Sequence, residues 1–355
     1  MLTSYGLLWE KRLKVPKFFI TGGAGFIGSA FVRLVLEEAP SCQVVNFDAL
    51  TYAGNMDNLV GLDENRHHFV RGDIADPVTV LEALHEGCDA IINFAAESHV
   101  DRSIANAAEF LRTNIMGTQV LLDAARVRGV KRFIQVSTDE VMGSLPENED
   151  AFFTEDSPFA PNSPYAASKA AAEHLVRAAH HTFGLDTVVT RCGNNYGPRQ
   201  FPEKFLPLLL SNALNDQPIP IYGDGQNVRD WIYVDDHCRA ILLALEKGRP
   251  GAVYNIGARN ERRNIEVVKS VLDILNKPHS LLQFVKDRPG HDRRYAINPS
   301  LIESELGWQP LETWESGLQK TIQWYQINGR WLDRARSGAY KDYYRTQYGA
   351  EVGAI

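Results

Sequence analysis

The chain has 355 residues, 44% of them hydrophobic and 23% charged, which is an ordinary globular composition and more than one average domain requires. The 37 basic and 44 acidic residues give a net charge of -7 without any run of like charge, which argues against nucleic acid or an anionic membrane as the main partner. No stretch reaches the roughly 18 apolar residues of a membrane span, and residues 1–16 lack the apolar core of a signal peptide.

The first element is a short apolar strand at residues 17–20, followed by the sequence T-G-G-A-G-F-I-G and then by a helical pattern. In this order of strand, glycine turn and helix, Gly22 allows a tight turn, Gly25 lets the backbone approach a pyrophosphate, and Gly28 lets the helix pack on the strand. A second strand ends at Asp48. A carboxylate there accepts hydrogen bonds from ribose hydroxyls and repels a 2'-phosphate, so we predict that the cofactor is NAD rather than NADP.

The alternation of strands and helices continues through residues 68–74, 78–84 and 90–94. This rhythm predicts a parallel sheet covered on both faces, and ligands bind at the carboxyl ends of such strands. Asp73 is placed there to meet the adenine edge, and the strand at 132–136 delivers the next four residues to the same edge. The predicted fold class is therefore α/β, a Rossmann-type doubly wound parallel sheet with a smaller α/β substrate-binding domain.

The periodicity changes after residue 198, where five prolines break the chain into short pieces. We predict that residues 16–190 form the NAD-binding domain and that 230–258 return to it as a strand, a helix and a further strand. Residues 191–229 and 259–345 are predicted to form the substrate-binding domain. The four cysteines are spread without a C-x-x-C pair, which indicates reduced structural thiols and a cytoplasmic enzyme.

Tyr165 and Lys169 are four residues apart in an alanine-rich run, so on a helix they lie on one face, one turn apart. A phenol titrates near pH 10, but an ammonium group one turn away favours the phenolate, and we predict that it lowers the pKa of Tyr165. The phenolate can then take a proton from a sugar hydroxyl as hydride leaves the carbon. An isolated Y-x-x-x-K is usually an ordinary surface pair, and the glycine turn upstream favours the catalytic interpretation here.

Several longer motifs accompany this pair. They are A-A-E-S-H-V-D-R-S at 95–103, T-D-E at 138–140, R-C-G-N-N-Y-G-P at 191–198, F-P-E-K-F at 201–205 and G-D-G-Q-N-V-R-D-W at 223–231. With them the chain resembles the extended short-chain dehydrogenases/reductases, and within these the nucleotide-sugar 4,6-dehydratases of the dTDP-glucose type, over roughly residues 18–308. The glycine turn and the Tyr/Lys pair belong to the whole superfamily, whereas the Asp-Glu pair is specific to the dehydratases. Met142 departs from the pattern, because the family usually has Tyr there.

The resemblance implies a three-step dehydration of a nucleotide-activated hexose with tightly bound NAD, for deoxysugar biosynthesis. Tyr165 takes the 4-hydroxyl proton, Thr138 hydrogen-bonds the same oxygen, and Lys169 also holds the nicotinamide ribose. Glu140 is the candidate base for the C5 proton and Asp139 the candidate acid for the departing 6-hydroxyl. Two adjacent carboxyls in one buried site cannot both ionise easily, so we expect one of their pKa values to rise.

Further site residues follow from the same resemblance. The predicted cofactor-binding residues are Gly22, Gly25, Phe26, Ile27, Gly28, Asp48, Asp73, Ile74, Ala95, Ala96, Ser98, Thr113, Tyr165, Lys169 and Asn195. The predicted substrate-binding residues are Ser98, His99, Thr138, Asn194, Lys204, Arg229, Asn264, Arg288 and His291. Three of these are cations suited to a diphosphate. No metal is expected, and relatives suggest a homodimer that forms a four-helix bundle from the helices around 113–126 and 166–181.

Three alternatives accompany this interpretation. A nucleotide-sugar 4-epimerase shares the fold, the NAD and the Tyr/Lys pair, but it needs small hydroxyl residues in place of Asp139 and Glu140. A decarboxylase of a nucleotide-linked uronic acid is disfavoured on the same ground. A non-catalytic NAD-binding scaffold predicts that catalytic residues have been lost, and all five are present here. The nucleotide base stays open among dTDP, UDP, CDP and GDP, with dTDP favoured by overall likeness.

Overall fold

The computed structural model describes residues 15–147 and 150–336. The opening segment 1–14 and the end of the predicted second domain, 337–345, lie outside these ranges. The strands are β1 (Lys17–Thr21), β2 (Gln43–Asp48), β3 (His67–Arg71), β4 (Ala90–Asn93), β5 (Arg132–Thr138), β6 (Thr187–Cys192), β7 (Asn194–Tyr196), β8 (Ile219–Tyr222), β9 (Val228–Tyr233), β10 (Val253–Ile256), β11 (Glu261–Arg263) and β12 (Leu282–Val285).

The helices lie between these strands and after the last of them. The α-helices are α1 (Phe26–Glu38), α2 (Pro77–Ala83), α3 (Val100–Ala105), α4 (Ala108–Phe110), α5 (Thr118–Arg128), α6 (Pro164–Phe183), α7 (Phe205–Leu214), α8 (Val234–Lys247), α9 (Asn264–Ile274), α10 (Ser300–Leu306), α11 (Trp314–Ile327) and α12 (Gly329–Ala335). A π-helical segment, Leu111–Gly117, joins α4 to α5. The 3-10 helices are Met56–Leu59, Asp139–Met142 and His279–Leu281.

Seven strands form the central sheet in the order β3-β2-β1-β4-β5-β6-β10, and all of its neighbouring pairs are parallel. The direction in which strands are added reverses between β1 and β4. Connections on either side of that point leave opposite faces of the sheet, so a crevice opens at the carboxyl ends of these strands. The predicted doubly wound fold is confirmed.

Both faces of the sheet are covered because its strands alternate apolar side chains toward two cores. Phe18 and Ile20 of β1 face one core, together with helices α1, α8 and α10. Phe19 faces the other core, which includes residues of α2, α5 and α6. All three side chains are at most 2% exposed, and burying one of this size stabilises the fold by about 2 kcal/mol.

A second region packs beside the sheet around its own core, to which α7, α9, α11 and α12 contribute. It holds the parallel pair β8 and β12 and the three-stranded sheet in the order β11-β9-β7. Strand β10 pairs with β6 in the large sheet. Strand β9, which the predicted return of residues 230–258 also includes, pairs instead with β7 and β11 in the small sheet. The exact division of the chain into two domains stays a prediction. Among the described residues, no helix combines the length and the apolar character needed to cross a membrane.

Helix α6, which carries Tyr165 and Lys169, starts where its sequence dictates. Ser163 is the N-cap, and its Oγ accepts a hydrogen bond from the N–H of Ala166 at 3.1 Å. Pro164 occupies the first turn, where its missing N–H is not needed. The phenol of Tyr165 is thereby placed on the first turn of the helix, beside the carboxyl end of β5.

Candidate active site

A cleft of about 450 Å³ lies at the carboxyl ends of the central strands, at the point where the strand order reverses. It brings together predicted residues that are far apart in the chain. Those lining it are Gly22, Gly25, Phe26, Ile27, Gly28, Asp48, Asp73, Ile74, Ala95, Ala96, Ser98, Thr113, Thr138, Asp139, Glu140, Tyr165, Lys169, Asn194, Asn195 and Lys204. The predicted catalytic residues therefore share one cleft with every predicted cofactor-binding residue.

The glycine turn at one end of this cleft is packed too tightly for side chains. Gly22 has a φ of 70°, and a Cβ there would lie 2.6 Å from the backbone nitrogen of Ala95. A Cβ on Gly28 would collide with the carbonyl oxygen of Gly22. Because the turn ends at the N-terminus of α1, free backbone N–H groups face the cleft, and this cradle suits the pyrophosphate of a dinucleotide.

Two carboxylates at the ends of neighbouring strands are fixed beside the turn. Asp48 accepts backbone hydrogen bonds from Ala24 at 2.9 Å and from Leu50 at 2.8 Å. Burial raises the pKa of Asp48, and these two N–H donors oppose that rise. Asp73 pairs with Arg112 at 2.5 Å on the more exposed rim. Both acids therefore line the cleft, and their contacts to a ribose and an adenine edge stay predictions.

Lys169 Nζ donates to the carbonyl oxygen of Val136 at 2.7 Å. Burial and then the Glu140 carboxylate raise the pKa of Tyr165 well above its ordinary value. Burial also lowers the pKa of Lys169 to about 8. The predicted fall in the pKa of Tyr165 is therefore wrong for the chain by itself, because desolvation and the nearby carboxylate outweigh an ammonium group that is turned toward the backbone.

Asp139 and Glu140 follow β5 on a 3-10 helix whose N-cap is Thr138. The side chain of Asp139 is 2% exposed, and its Oδ2 has no hydrogen-bond partner. Burial and then Glu140 raise the pKa of Asp139 well above its ordinary value. Burial also raises the pKa of Glu140. The pKa shift at Asp139 agrees with the expectation that a neighbouring carboxyl raises one of the two values, whereas at Glu140 burial is the main cause of the rise.

Three cations oppose the rise at Glu140, and they are Arg288, Lys204 and Arg229. Lys204 Nζ donates to the carbonyl oxygen of Ser98 at 2.7 Å. Arg229 donates to the carbonyl oxygen of Asp292 at 2.9 Å, and its guanidinium lies 4.3 Å from the ring centre of Tyr295. Of these three cations, Arg229 alone is among the groups that shift the pKa of Asp139 most. Glu140 is therefore the more readily ionised of the two carboxyls.

Five predicted substrate-binding residues do not line the cleft itself, and these are His99, Arg229, Asn264, Arg288 and His291. The charges of Arg288 and Arg229 oppose the rise in the pKa of Glu140. His99 is buried, and burial lowers its pKa well below the ordinary value. His291 contacts Asp287 at 2.6 Å, and Asn264 donates its backbone N–H to the carbonyl oxygen of Asn227. Their contact with a substrate stays a prediction.

A buried ion pair behind the cleft was not predicted. Arg191 of β6 donates to Glu173 at 2.9 to 3.2 Å, and both side chains are at most 4% exposed. Ser137 also donates to Glu173, at 2.5 Å. The sequence feature that could have drawn attention to Glu173 is its position one turn beyond Lys169 on the same helix face. Met142, the departure from the family pattern, is buried with its Sδ 3.7 Å from the Arg191 guanidinium.

Asn114 is a second residue that the sequence did not single out for the site. It lies in the π-helical segment, and its side chain is bonded to the backbone N–H and carbonyl of Glu97 at 2.9 and 3.0 Å. It also donates to Ser168 Oγ at 2.8 Å. This amide therefore ties the loop after β4 to the helix that carries Tyr165.

Comparison with known proteins identifies the family. The family described as GDP-mannose 4,6 dehydratase matches residues 19–321. The chain is 50% identical over 344 residues to the dTDP-glucose 4,6-dehydratase of Xanthomonas campestris pv. campestris (strain B100), a match that covers 91% of this chain and 97% of that relative. The chain belongs to the dTDP-glucose 4,6-dehydratase family. The resemblance inferred from the motifs is therefore confirmed.

Solved structures agree with membership in the dTDP-glucose 4,6-dehydratase family. The dTDP-glucose 4,6-dehydratase from Streptomyces venezuelae, in a crystal structure with NAD bound, has a TM-score of 0.87 and 49% identity, covering 90% of this chain and 99% of that one. The UDP-glucose 4-epimerase of Thermus thermophilus, also in complex with NAD, has a TM-score of 0.81 and 31% identity, covering 88% and 99%. The scaffold is therefore shared with epimerases.

Proposed function

We propose that this chain dehydrates dTDP-glucose to the 4-keto-6-deoxy sugar by oxidation at C4, elimination of water across C5 and C6, and reduction at C6. The observation that carries the proposal is that Asp139 and Glu140 line the same cleft as Tyr165 and Lys169. One cleft thus holds a group for the ring alcohol and a separate acid and base for the outer carbons.

The residues at the other end of the cleft fit NAD. The glycine turn and the N-terminus of α1 suit the pyrophosphate, and the Asp48 carboxylate suits ribose hydroxyls. Lys169 is within the same cleft and would hold the nicotinamide ribose. When bound, NAD accepts hydride from C4 and returns it at C6, and its oxidised ring adds a positive charge.

Tyr165 and Thr138 act on the 4-hydroxyl oxygen. Both side chains line the same cleft, so both can reach a substrate oxygen bound between them. Since the pKa of Tyr165 is raised in the chain by itself, the substrate proton is transferred only when the positive charges of Lys169 and the cofactor both face the phenol. The 4-ketone that results acidifies the proton on C5.

Glu140 takes the C5 proton and Asp139 delivers a proton to the departing 6-hydroxyl. The raised pKa of Asp139 favours its protonated form, and its unpaired Oδ2 leaves a buried atom to carry that proton. Glu140 is the more readily ionised carboxyl because three cations surround it. The two titrate as a coupled pair, so the pair as a whole supplies one acid and one base.

A 4-epimerase is the nearest rival, since it shares the scaffold and the Tyr/Lys pair. Its chemistry needs no acid and base for C5 and C6, and the buried pair of Asp139 and Glu140 would then be a costly feature without use. A decarboxylase is disfavoured for the same reason. A non-catalytic scaffold is disfavoured because the complete set of reacting groups converges on one cleft.

The proposal is tested by incubating the purified protein with dTDP-glucose without added reductant. We expect the keto sugar, detected by its absorbance after alkali treatment, and NAD that stays with the protein. The hexoses of UDP, CDP and GDP are compared side by side to identify the base. Absence of product from all four nucleotide sugars would contradict the assignment, and a 4-epimer without loss of water would favour the epimerase.

We further propose a cytoplasmic homodimer. All four cysteines are buried free thiols, which suits a reducing compartment. Met116 and Val127 are 62% and 71% exposed and lie three helical turns apart, and Phe183 at the end of α6 is 52% exposed. Apolar side chains on two packed helices are the kind of surface that a second copy covers in a four-helix bundle. A Met116→Glu variant is expected to elute as a monomer in size-exclusion chromatography.

A further inference from the structure

The last described helix of the chain returns to the region of the glycine turn. Helix α12 belongs to the core of the second region through Trp331 and Leu332. The Trp331 ring also packs 5.1 Å, centre to centre, from that of Trp324. The indole nitrogen of Trp331 nevertheless points away from this core and donates to Asn58 Oδ1 at 2.9 Å. Asn58 lies on the 3-10 helix Met56–Leu59, beside the turn.

The Asn58 side chain links Trp331 to the middle of the glycine turn. Its Nδ2 donates to the carbonyl oxygen of Ala24 at 2.9 Å, and the Asn55 N–H reaches the same oxygen at 3.0 Å. The backbone N–H of Ala24 donates to Asp48 at 2.9 Å. Both backbone polar groups of Ala24 are therefore held, one by the ribose-binding carboxylate and the other by the amide that Trp331 contacts.

Trp331 and the Ala24 carbonyl together fix the orientation of the Asn58 amide. An indole N–H can only donate, so it pairs with Oδ1 and leaves the amide NH₂ for the Ala24 carbonyl. Asn58 is 1% exposed and Trp331 is 6% exposed, so water does not take the place of either partner. Without the indole N–H, Oδ1 would be a buried acceptor with no donor, and the pairing with Ala24 would weaken.

Two further contacts tie the same short segment to its neighbours. Arg334, also on α12, donates to Asp57 at 2.7 Å. Arg33, on the helix that follows the glycine turn, donates to the Asn58 carbonyl oxygen at 2.6 Å. The 3-10 helix is therefore fastened to α12 on one side and to α1 on the other.

We propose that Trp331 is a positioning residue for the cofactor, and that through Asn58 and Ala24 it holds the glycine turn in the shape that retains NAD. This rests on the proposed function, since it takes NAD as the ligand of the cleft. Retention of the cofactor then depends on a helix of the second region.

The test is a Trp331→Phe variant, which keeps an aromatic ring and removes the N–H. Purified enzyme with its NAD is diluted into NAD-free buffer, and the NAD left on the protein is measured after ultrafiltration at successive times. We expect NAD to be lost about tenfold faster than from the wild type. With saturating added NAD, kcat should match the wild type, and the NAD concentration for half-maximal activity should rise about tenfold.

Trp324→Phe is the matched control, because Trp324 packs against Trp331 but is not the donor to Asn58. It should retain NAD like the wild type. Asn58→Ala should release NAD as fast as Trp331→Phe, and the double variant should be no faster, since both act through one contact. Unfolding midpoints of all variants are measured alongside.

The inference is overturned if Trp331→Phe keeps NAD as long as the wild type does. It is also overturned if both tryptophan variants lose NAD equally fast with equal falls in unfolding midpoint, because general packing would then be the cause. A wild-type protein that purifies without NAD and does not bind it would instead contradict the proposed function, and this inference with it.

Discussion

At the dinucleotide end of the cleft, the Asp48 carboxylate is paired with backbone N–H groups of the chain, whereas at the reacting end two buried carboxyls are crowded and only partly paired. Both oxygens of Asp48 accept backbone hydrogen bonds, and the Gly22 N–H donates to the Phe47 carbonyl oxygen at 2.9 Å. In contrast, Asp139 Oδ2 is buried without a partner, and the pKa values of Asp139 and Glu140 are both raised.

This difference separates two tasks. The dinucleotide end works through shape, so its glycines and backbone N–H groups must be in place before the cofactor arrives. The reacting end works through the transfer of protons. Crowding among buried carboxyls raises their pKa values, so that one carboxyl can be protonated while the other is ionised. Changes at the reacting end should therefore stop single chemical steps, and changes at the dinucleotide end should alter cofactor choice and retention.

The largest effect should come from Tyr165→Phe at the reacting end. It removes the proton acceptor for the 4-hydroxyl, so kcat for the keto sugar should fall by about 10³-fold. NAD content should stay at the wild-type level. Tyr254→Phe is the control, because that hydroxyl contacts Glu305 at 2.9 Å, away from the cleft. A variant at position 165 with activity within tenfold of the wild type would assign the proton transfer to another group.

Glu140→Gln should give the next largest effect and separate the steps. Oxidation at C4 should persist in part, visible as the absorbance of bound reduced nicotinamide, while elimination slows by about 10²-fold or more. Stopped-flow absorbance follows the first step, and product formation follows the second. If both steps are lost together, Glu140 has a structural role and the division of tasks within the cleft fails.

Asp48→Asn probes the dinucleotide end. The amide no longer repels a 2'-phosphate, so the preference for NAD over NADP should fall by about tenfold, measured as the ratio of the two dissociation constants. Rates with saturating NAD should change little, because the reacting end is untouched. An unaltered ratio would mean that the loop around the ribose, rather than the carboxylate charge, selects the cofactor.

Local signals explain how much of this molecule the sequence predicts. The glycine turn, the acid ending β2 and the Ser163-Pro164 start of α6 each lie within a few residues of the feature they specify. The substrate-side residues, such as Arg229 and Arg288, came from the family resemblance and not from spacing. Their effect on the pKa of Glu140 follows from the three-dimensional arrangement of the chain.

Long-range contacts explain what the sequence did not predict. The direction of the pKa shift at Tyr165 depends first on burial of the phenol and then on the charge of Glu140, and no helical spacing encodes either. The contact of Trp331 with Asn58 joins residues 273 positions apart. Such pairs depend on how two regions dock, and one sequence carries no period or motif that marks them.

The smallest effect should be a pH dependence set by Lys169, whose pKa burial lowers from 10.5 to about 8. Activity that needs the ammonium group should be half lost near pH 8 and fall further above it. The free energy of unfolding should instead rise with pH, because between about pH 8 and 10.5 the unfolded chain binds more protons than the folded one. In that window the contribution of Lys169 to the free energy of unfolding therefore rises with pH.

Lys169→Met supplies the comparison, since it removes the titrating group and keeps an unbranched side chain. Below pH 8 the wild type should be less stable than this variant by a constant amount, because the folded wild type carries a buried charge there. The gap should narrow as pH rises toward 10.5, as followed by denaturant unfolding at several pH values. If the difference in the free energy of unfolding between the two proteins does not change with pH, the folded chain leaves the pKa of Lys169 unshifted. Lys169 would then resemble the paired Asp48 carboxylate rather than the crowded carboxyls of the reacting end.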